Sequence, residues 1–172
     1  MKNKSFGSRR SIRMKGYDYS SPGRYFITIV TEGRKPLFGT IVRGQVRLSE
    51  YGRIVVKCWK QLEEKNDHVR LGAFVVMPDH IHGILILLQR SEEERRKTIS
   101  KPKIAGYGKM VPGSISILLR TFKSAVTKRI NNLQNTPGER VWQRNYHDRI
   151  IRTDKELWNK YAYIRNNPLK HG

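Results

Sequence analysis

Along this chain, short unbroken apolar runs alternate with segments in which apolar residues recur every three or four positions, and the switches mark out the elements. Tyr25-Phe-Ile-Thr-Ile-Val-Thr31 is aromatic or β-branched at every position, the composition of a strand. From Leu48 to about Lys65 the apolar positions Tyr51, Ile54, Val55, Cys58 and Leu62 follow helical spacing. Leu71–Met77 and Ile81–Leu88 are two apolar runs split by Pro78-Asp79, too short and too β-branched for helices, and read as an antiparallel pair. After Ser114 an amphipathic helix is expected, with Ile115, Leu118, Leu119, Phe122, Val126, Ile130 and Leu133 as its buried stripe. Asn135-Thr-Pro-Gly138 is a turn, and the mixed polarity of Val141–Ile151 fits a short strand or an irregular ribbon. The last helix opens at Thr153-Asp-Lys-Glu156, a capping-box pattern, and must stop near Asn167 because Pro168 disfavours helix before it.

Strand, helix, strand, strand, helix, strand, helix is the order of an α+β domain. The expectation is a ferredoxin-like antiparallel sheet (βαββαβ) with helices on one face and an added C-terminal helix. Residues 1–24 read as a basic arm and 25–172 as a single domain, with 89–112 a mobile, charged, Gly/Pro-punctuated connection. At 172 residues such a domain buries enough surface to fold without a disulfide or metal staple. The lone Cys58 excludes an internal disulfide framework and a cysteine-based zinc cluster. No apolar run approaches the roughly 20 residues of a membrane span, and no apolar segment follows the basic N-terminus as a secretory signal requires. The expected setting is cytoplasmic and nucleoid-associated.

Charge narrows the function. Lys and Arg number 35 against 14 Asp and Glu, a net +21. Self-repulsion of that size opposes compaction, and a polyanion relieves it by counterion release. The excess lies in four separate segments, Arg9–Lys15, Arg95–Lys103, Arg120–Arg129 and Arg144–Arg152, which points to an extended nucleic-acid surface. Arg120, Lys123, Arg144, Arg149 and Arg152 are its candidate contacts. No helix pairs a basic face with the exposed aromatic face that a membrane surface requires.

Two places could hold chemistry. His80 and His82 flank Ile81 at the mouth of an apolar strand, and residues two apart on a strand share a face. Two imidazoles so placed either hydrogen-bond at the surface or meet one cation between them. On the last helix Leu157, Tyr161 and Ile164 form a core stripe, whereas Tyr163 lies off it with Glu156, Asn159 or Lys160, and Asn167. Helix geometry alone makes Tyr163 a half-exposed surface tyrosine. Taken with the basic surface, the two places suggest a divalent ion polarising a phosphate that a tyrosine oxygen attacks. An ion with two imidazoles and one amide oxygen would be Mg²⁺ or Mn²⁺.

These residues resemble a known family. Met77-Pro-Asp-His-Ile-His-Gly83 is similar to the HUH motif (His, bulky hydrophobic, His) of single-tyrosine insertion-sequence transposases. The tail VWQRNYHDRIIR…YIRNNPLKHG resembles their REP-associated branch, in which a Y-I-x-x-N-P motif carries the nucleophile. The resemblance runs from about Tyr25 to Gly172. It implies His80 and His82 as metal ligands, Asn167 as the third, and Tyr163, on the C-terminal helix, as the nucleophile. It also implies metal-dependent cleavage and strand transfer of single-stranded DNA, often beside a hairpin, through a 5′-phosphotyrosine.

Other residues compete for these roles. Tyr146, beside His147, is the alternative nucleophile. Asp79 is a turn former or an orienter of an imidazole, with the turn favoured. Lys123 is a phosphate contact or a solvated helix lysine, and Trp142 and Tyr107 are base-stacking candidates or core. The alternative functions are an HUH replication initiator or relaxase-like nuclease, and a non-catalytic single-strand-binding module. Monomer with a site in cis and homodimer with a site in trans both stay open.

Overall fold

The computed structural model describes residues 17–93 and 111–170. From Arg24 to Thr28 the first strand has partners on both sides, because it is central. β1 (Gly23–Val30) lies between β5 (His80–Leu87) and β6 (His147–Ile151), and β4 (Val69–Val76) pairs on the far side of β5. All the pairings of this sheet are antiparallel, in the order β4-β5-β1-β6. The expected βαββαβ order is therefore present. α1 (Glu50–Glu64) joins β1 to β4, α2 (Ile115–Gln134) lies between β5 and β6, and α3 (Asp154–Asn166) closes the succession.

Side-chain alternation splits the apolar residues into two layers. Tyr25, Ile27 and Ile29 of β1 and Ile81, Leu85 and Leu87 of β5 join Val55, Trp59 and Leu62 of α1 and Leu119, Phe122 and Val126 of α2 in the larger core. Phe26 and Ile84 face the other way, with Ile151 and with Ile164, Leu157 and Tyr161 of α3, in a smaller one. So α1 and α2 cover one face and α3 the opposite face. Residues buried on both sides explain why β5 reads as an unbroken apolar run.

Several boundaries differ from expectation. Residues 17–22 were assigned to the arm, yet Tyr17 and Tyr19 pack edge-on or tilted against Tyr25, with ring centroids 5.1–6.4 Å apart. Under that cover Tyr25 is fully buried. The rest of the arm and most of the 89–112 connection lie outside the described residues. A second sheet was not expected at all: β2 (Gly39–Val42) and β3 (Gln45–Leu48) form a hairpin before α1. Leu133, expected in the buried stripe of α2, is 48% exposed. Asn131 is buried in the last turns instead, its amide donating to the Glu139 carbonyl and closing the turn after the helix. No helix among the described residues is long and apolar enough to cross a membrane.

α3 is held at its start chiefly by charge. Thr153 caps it, accepting from the Glu156 amide at 3.2 Å. Arg24 pairs with Asp154 at 2.6 Å, and Arg149 with Glu156 at 3.3 Å. The Arg152 amide donates to the Glu156 carboxylate, and with the Arg149 guanidinium it holds this carboxyl below its ordinary value. Because the folded value is the lower one, the stabilisation is complete above pH about 4.5 and is lost as the pH falls below it. Wild type should therefore melt higher than Glu156→Gln at pH 7, and the gap should narrow as the pH falls below about 4.5, as thermal melts would record.

On the other face, a Cβ at Gly83 would run into the Trp59 indole, which stacks on Phe74 at 4.6 Å. Gly83→Val should cost about 1–3 kcal/mol through overpacking, measured by chemical denaturation.

Candidate active site and nucleic-acid interface

The turn Met77–Asp79 delivers β5 with His80 as its first residue, and the alternation that sends Ile81 into the large core turns His80 and His82 to the α3 face. The two imidazoles stand 4.7 Å apart between centroids, at 73°. His82 is buried at 5% exposure, its Nδ1 sharing a 2.8 Å hydrogen bond with Thr28 Oγ1, the residue opposite it on β1. Its ring stacks on Phe26 at 5.3 Å.

His80 Nδ1 donates to the Asp79 carboxylate at 2.5 Å. Burial of Asp79 opposes its ionisation, but the His80 bond and the nearby Arg34 outweigh it and hold the carboxyl below the ordinary range. Asp79, expected as a turn former, thus does both jobs. Its main-chain carbonyl accepts from the Thr31 amide and hydroxyl while its side chain orients His80. A carboxylate can only accept, so neutral His80 carries its proton on Nδ1 and its lone pair on Nε2.

α3 brings Tyr163 onto this pair. Tyr163 Oη lies 3.4 Å from His82 Nε2, and the tyrosine ring meets Phe26 edge-on at 5.9 Å. Lys160, one turn earlier, sets its ammonium 4.4 Å from the Phe26 centroid and 5.5 Å from that of Tyr163. Asn167, one turn later at the helix C-cap, is only 1% exposed, and its Oδ1 has no hydrogen-bond partner among the described residues. A buried amide oxygen without a donor is rare in packed protein. A cation would satisfy it, so this donor set fits a hard or borderline divalent ion. Among the described residues no three His, Cys, Asp or Glu side chains gather to hold a metal, so the amide oxygen is needed as a donor.

The five basic candidates divide between the two faces. Arg120 and Arg144 line an open groove of about 1400 Å³ beside α2, together with Lys128, Arg140, Tyr19 and Tyr146. Arg149 lies instead on the α3 face, and Arg152 lies in the turn leading into that helix. Lys123 borders the groove but is not a solvated lysine: its ammonium donates to the Gln143 carbonyl at 2.6 Å, with those of Arg144 and Asn145 at 3.4 Å. Burial pushes its pKa down. Its place is thus to tie the 143–145 segment to α2.

The rival tyrosine, Tyr146, packs against the large core and lines the groove, on the side of the sheet away from the histidines. Trp142 is core, 5% exposed and 5.0 Å from the Phe38 ring. Tyr107 lies outside the described residues. Sequence reasoning missed Phe26 and Thr28 as supports of His82. Both sit in a strand whose composition signals only a strand.

No protein-family model matches the chain. It is 36% identical to an uncharacterized protein of Haemophilus influenzae over 167 residues, 97% of this chain and 92% of that one. A second protein of that organism, named a REP-associated tyrosine transposase, is 29% identical over 155 residues, 90% of this chain and 75% of its own length. The fold is similar to the solved structure of a REP-associated tyrosine transposase bound to a REP hairpin, with a TM-score of 0.60 at 21% identity, over 92% of this chain and 75% of that one.

Proposed function

We propose that this chain, which is similar to a REP-associated tyrosine transposase in sequence and in fold, acts as one: it cleaves and rejoins single-stranded DNA beside hairpins, with Tyr163 as the nucleophile. The observation that carries this reading is the 3.4 Å approach of Tyr163 Oη to His82 Nε2, which joins the last helix to the strand-mouth histidines. A tyrosine with only a packing role has no need of that partner.

In the proposed reaction, Tyr163 Oη forms a bond to phosphorus as the bond from phosphorus to the 3′ oxygen breaks. The phenol gives up its proton and the 3′ oxygen takes one up, leaving a 5′-phosphotyrosine and a free 3′-OH. The reverse attack, by another 3′-OH, rejoins strands. One phosphoester bond is exchanged for another at each step, so no nucleotide triphosphate is consumed. His80 and His82 through Nε2, and Asn167 through its amide oxygen, would hold a Mg²⁺ or Mn²⁺ ion, which when bound supplies Lewis-acid polarisation of the phosphate. Asp79 and Thr28 hold the rings by their Nδ1 atoms and keep Nε2 facing inward. The groove lined by Arg120, Lys128, Arg140 and Arg144 offers the hairpin a cationic surface, with Tyr19 and Tyr146 available for stacking.

End-labelled hairpin DNA with a single-stranded flank, incubated with Mn²⁺ or Mg²⁺, should yield a covalent protein–DNA adduct on a denaturing gel. The adduct should vanish without metal and in Tyr163→Phe but persist in Tyr146→Phe. Loss in Tyr146→Phe with survival in Tyr163→Phe would keep the chemistry and move the nucleophile. Tight, salt-sensitive hairpin binding without any adduct would make the protein a binding module.

The support of His82 yields a separate prediction. Thr28→Val, nearly isosteric, should weaken Mn²⁺ binding by about 10–100-fold, the usual cost of removing a partner behind a ligating imidazole. Calorimetric titration of the DNA-free protein would measure it.

A further inference from the structure

Among the described residues Lys160 makes no ion pair, and it lies where the proposed reaction gathers negative charge. Its ammonium lies 4.4 Å from the Phe26 centroid and 5.5 Å from the Tyr163 centroid, on the helix face that carries the tyrosine. Two neighbouring basic residues are already engaged, Arg149 with Glu156 and Arg24 with Asp154. The cationic head of Lys160 is instead held against two ring faces, a contact that orients an ammonium without neutralising it.

The position is built and not merely surface. Phe26 is 8% exposed and stacks on His82, so one ring touches that imidazole, the tyrosine and the lysine at once. Burial, with Arg149 close by and Glu156 only partly offsetting them, lowers the lysine's pKa. An anion arriving beside Tyr163 would oppose that shift.

We propose that Lys160 contacts the scissile phosphate and stabilises the charge that builds on its non-bridging oxygens as Tyr163 attacks. This rests on the reading of Tyr163 as nucleophile, and it adds a catalytic residue of this chain's own to that reading. A fixed cation aimed at developing charge acts mainly on the rate, because the charge it meets is larger in the transition state than in the bound strand.

The test compares wild type, Lys160→Met and Lys160→Arg. Methionine keeps an apolar stem over Phe26 and removes the charge, while arginine keeps the charge. Single-turnover adduct formation would be followed with saturating hairpin DNA and Mn²⁺, hairpin affinity would be measured in a Tyr163→Phe background, and melting temperature would report folding. Lys160→Met should slow adduct formation by about 10²-fold with far less change in affinity, and Lys160→Arg should recover most of the rate. Equal rates for wild type and Lys160→Met would overturn the inference and leave Tyr163 in place. Arginine as slow as methionine, with folding intact, would also overturn it, since charge would then not be what matters. Absence of any adduct in wild type would fell the nucleophile reading itself, and the role of Lys160 with it.

Discussion

The register between β1 and β5 is the constraint on which the site depends. Thr28 stands opposite His82, and Phe26 opposite Ile84. Because side chains alternate with a period of two, a slip of one residue would exchange the faces. The imidazoles would then enter the core that α1 and α2 close, and Ile81 would face α3. That exchange is blocked by burial on both sides of the strand. Ile81, Leu85 and Leu87 fill one layer and Ile84 the other, so any slip buries polar rings and strands apolar ones. Turn chemistry fixes the same register from the end of the strand: Asp79 binds Thr31 by its carbonyl and His80 by its carboxylate. Folding energy spent on the core therefore also sets the positions of two nitrogen atoms.

The layer holding the tyrosine is much thinner than the layer opposite. Ile164 is the one α3 residue buried in it, with Leu157 and Tyr161 half-covered. Ion pairs and a cap supply the rest of the attachment at the helix start, and at the far end Leu169 packs near Gly44 of the β2–β3 turn. Phe26 compensates for this thin contact by serving three neighbours at once. It is a core residue for α3, a stacking partner for His82 and a platform for Lys160. Exposed ion pairs contribute little individually, so the orientation of Tyr163 rests on that ring more than on the charges around it.

Much of this could be read from the sequence because the strongest signals are local. The strand composition of residues 25–31, the capping box at Thr153 and the stripe after Ser114 each announce their element without help from the rest of the chain. The β2–β3 hairpin was hidden because its strands have four residues each and its turn, Arg43-Gly44, lacks the usual Asn or Asp. Arg43 nevertheless adopts φ 51 and Gly44 φ 71, both in the left-handed region a tight hairpin turn demands. At the site, the histidine pair stands out by its spacing on one strand, while Tyr163 and Asn167 stand out only through the resemblance of the Y-I-x-x-N-P tail. Thr28, Phe26 and Lys160 do not stand out, since their roles come from cross-strand register and helix docking, which join residues more than 50 positions apart. Lys123 misleads for the same reason: its helical position reads as solvated until the 143–145 segment folds over it.

The two faces of the sheet place the proposed DNA-holding and DNA-cutting surfaces on opposite sides, and β6 is the route between them. It is an edge strand, so nothing in the sheet lies beyond it. Tyr146, at the groove, is followed directly by His147, which pairs with Thr28, the residue bonded to His82. From there Arg149 lies opposite Phe26 and reaches α3. A single-stranded flank leaving a hairpin in the groove would need only to round this five-residue edge to come to Tyr163. A duplex, being stiff on that length scale, could not follow so tight a path. On the proposed function the fold itself thus favours a substrate with a paired stem and an unpaired flank, before any base is read.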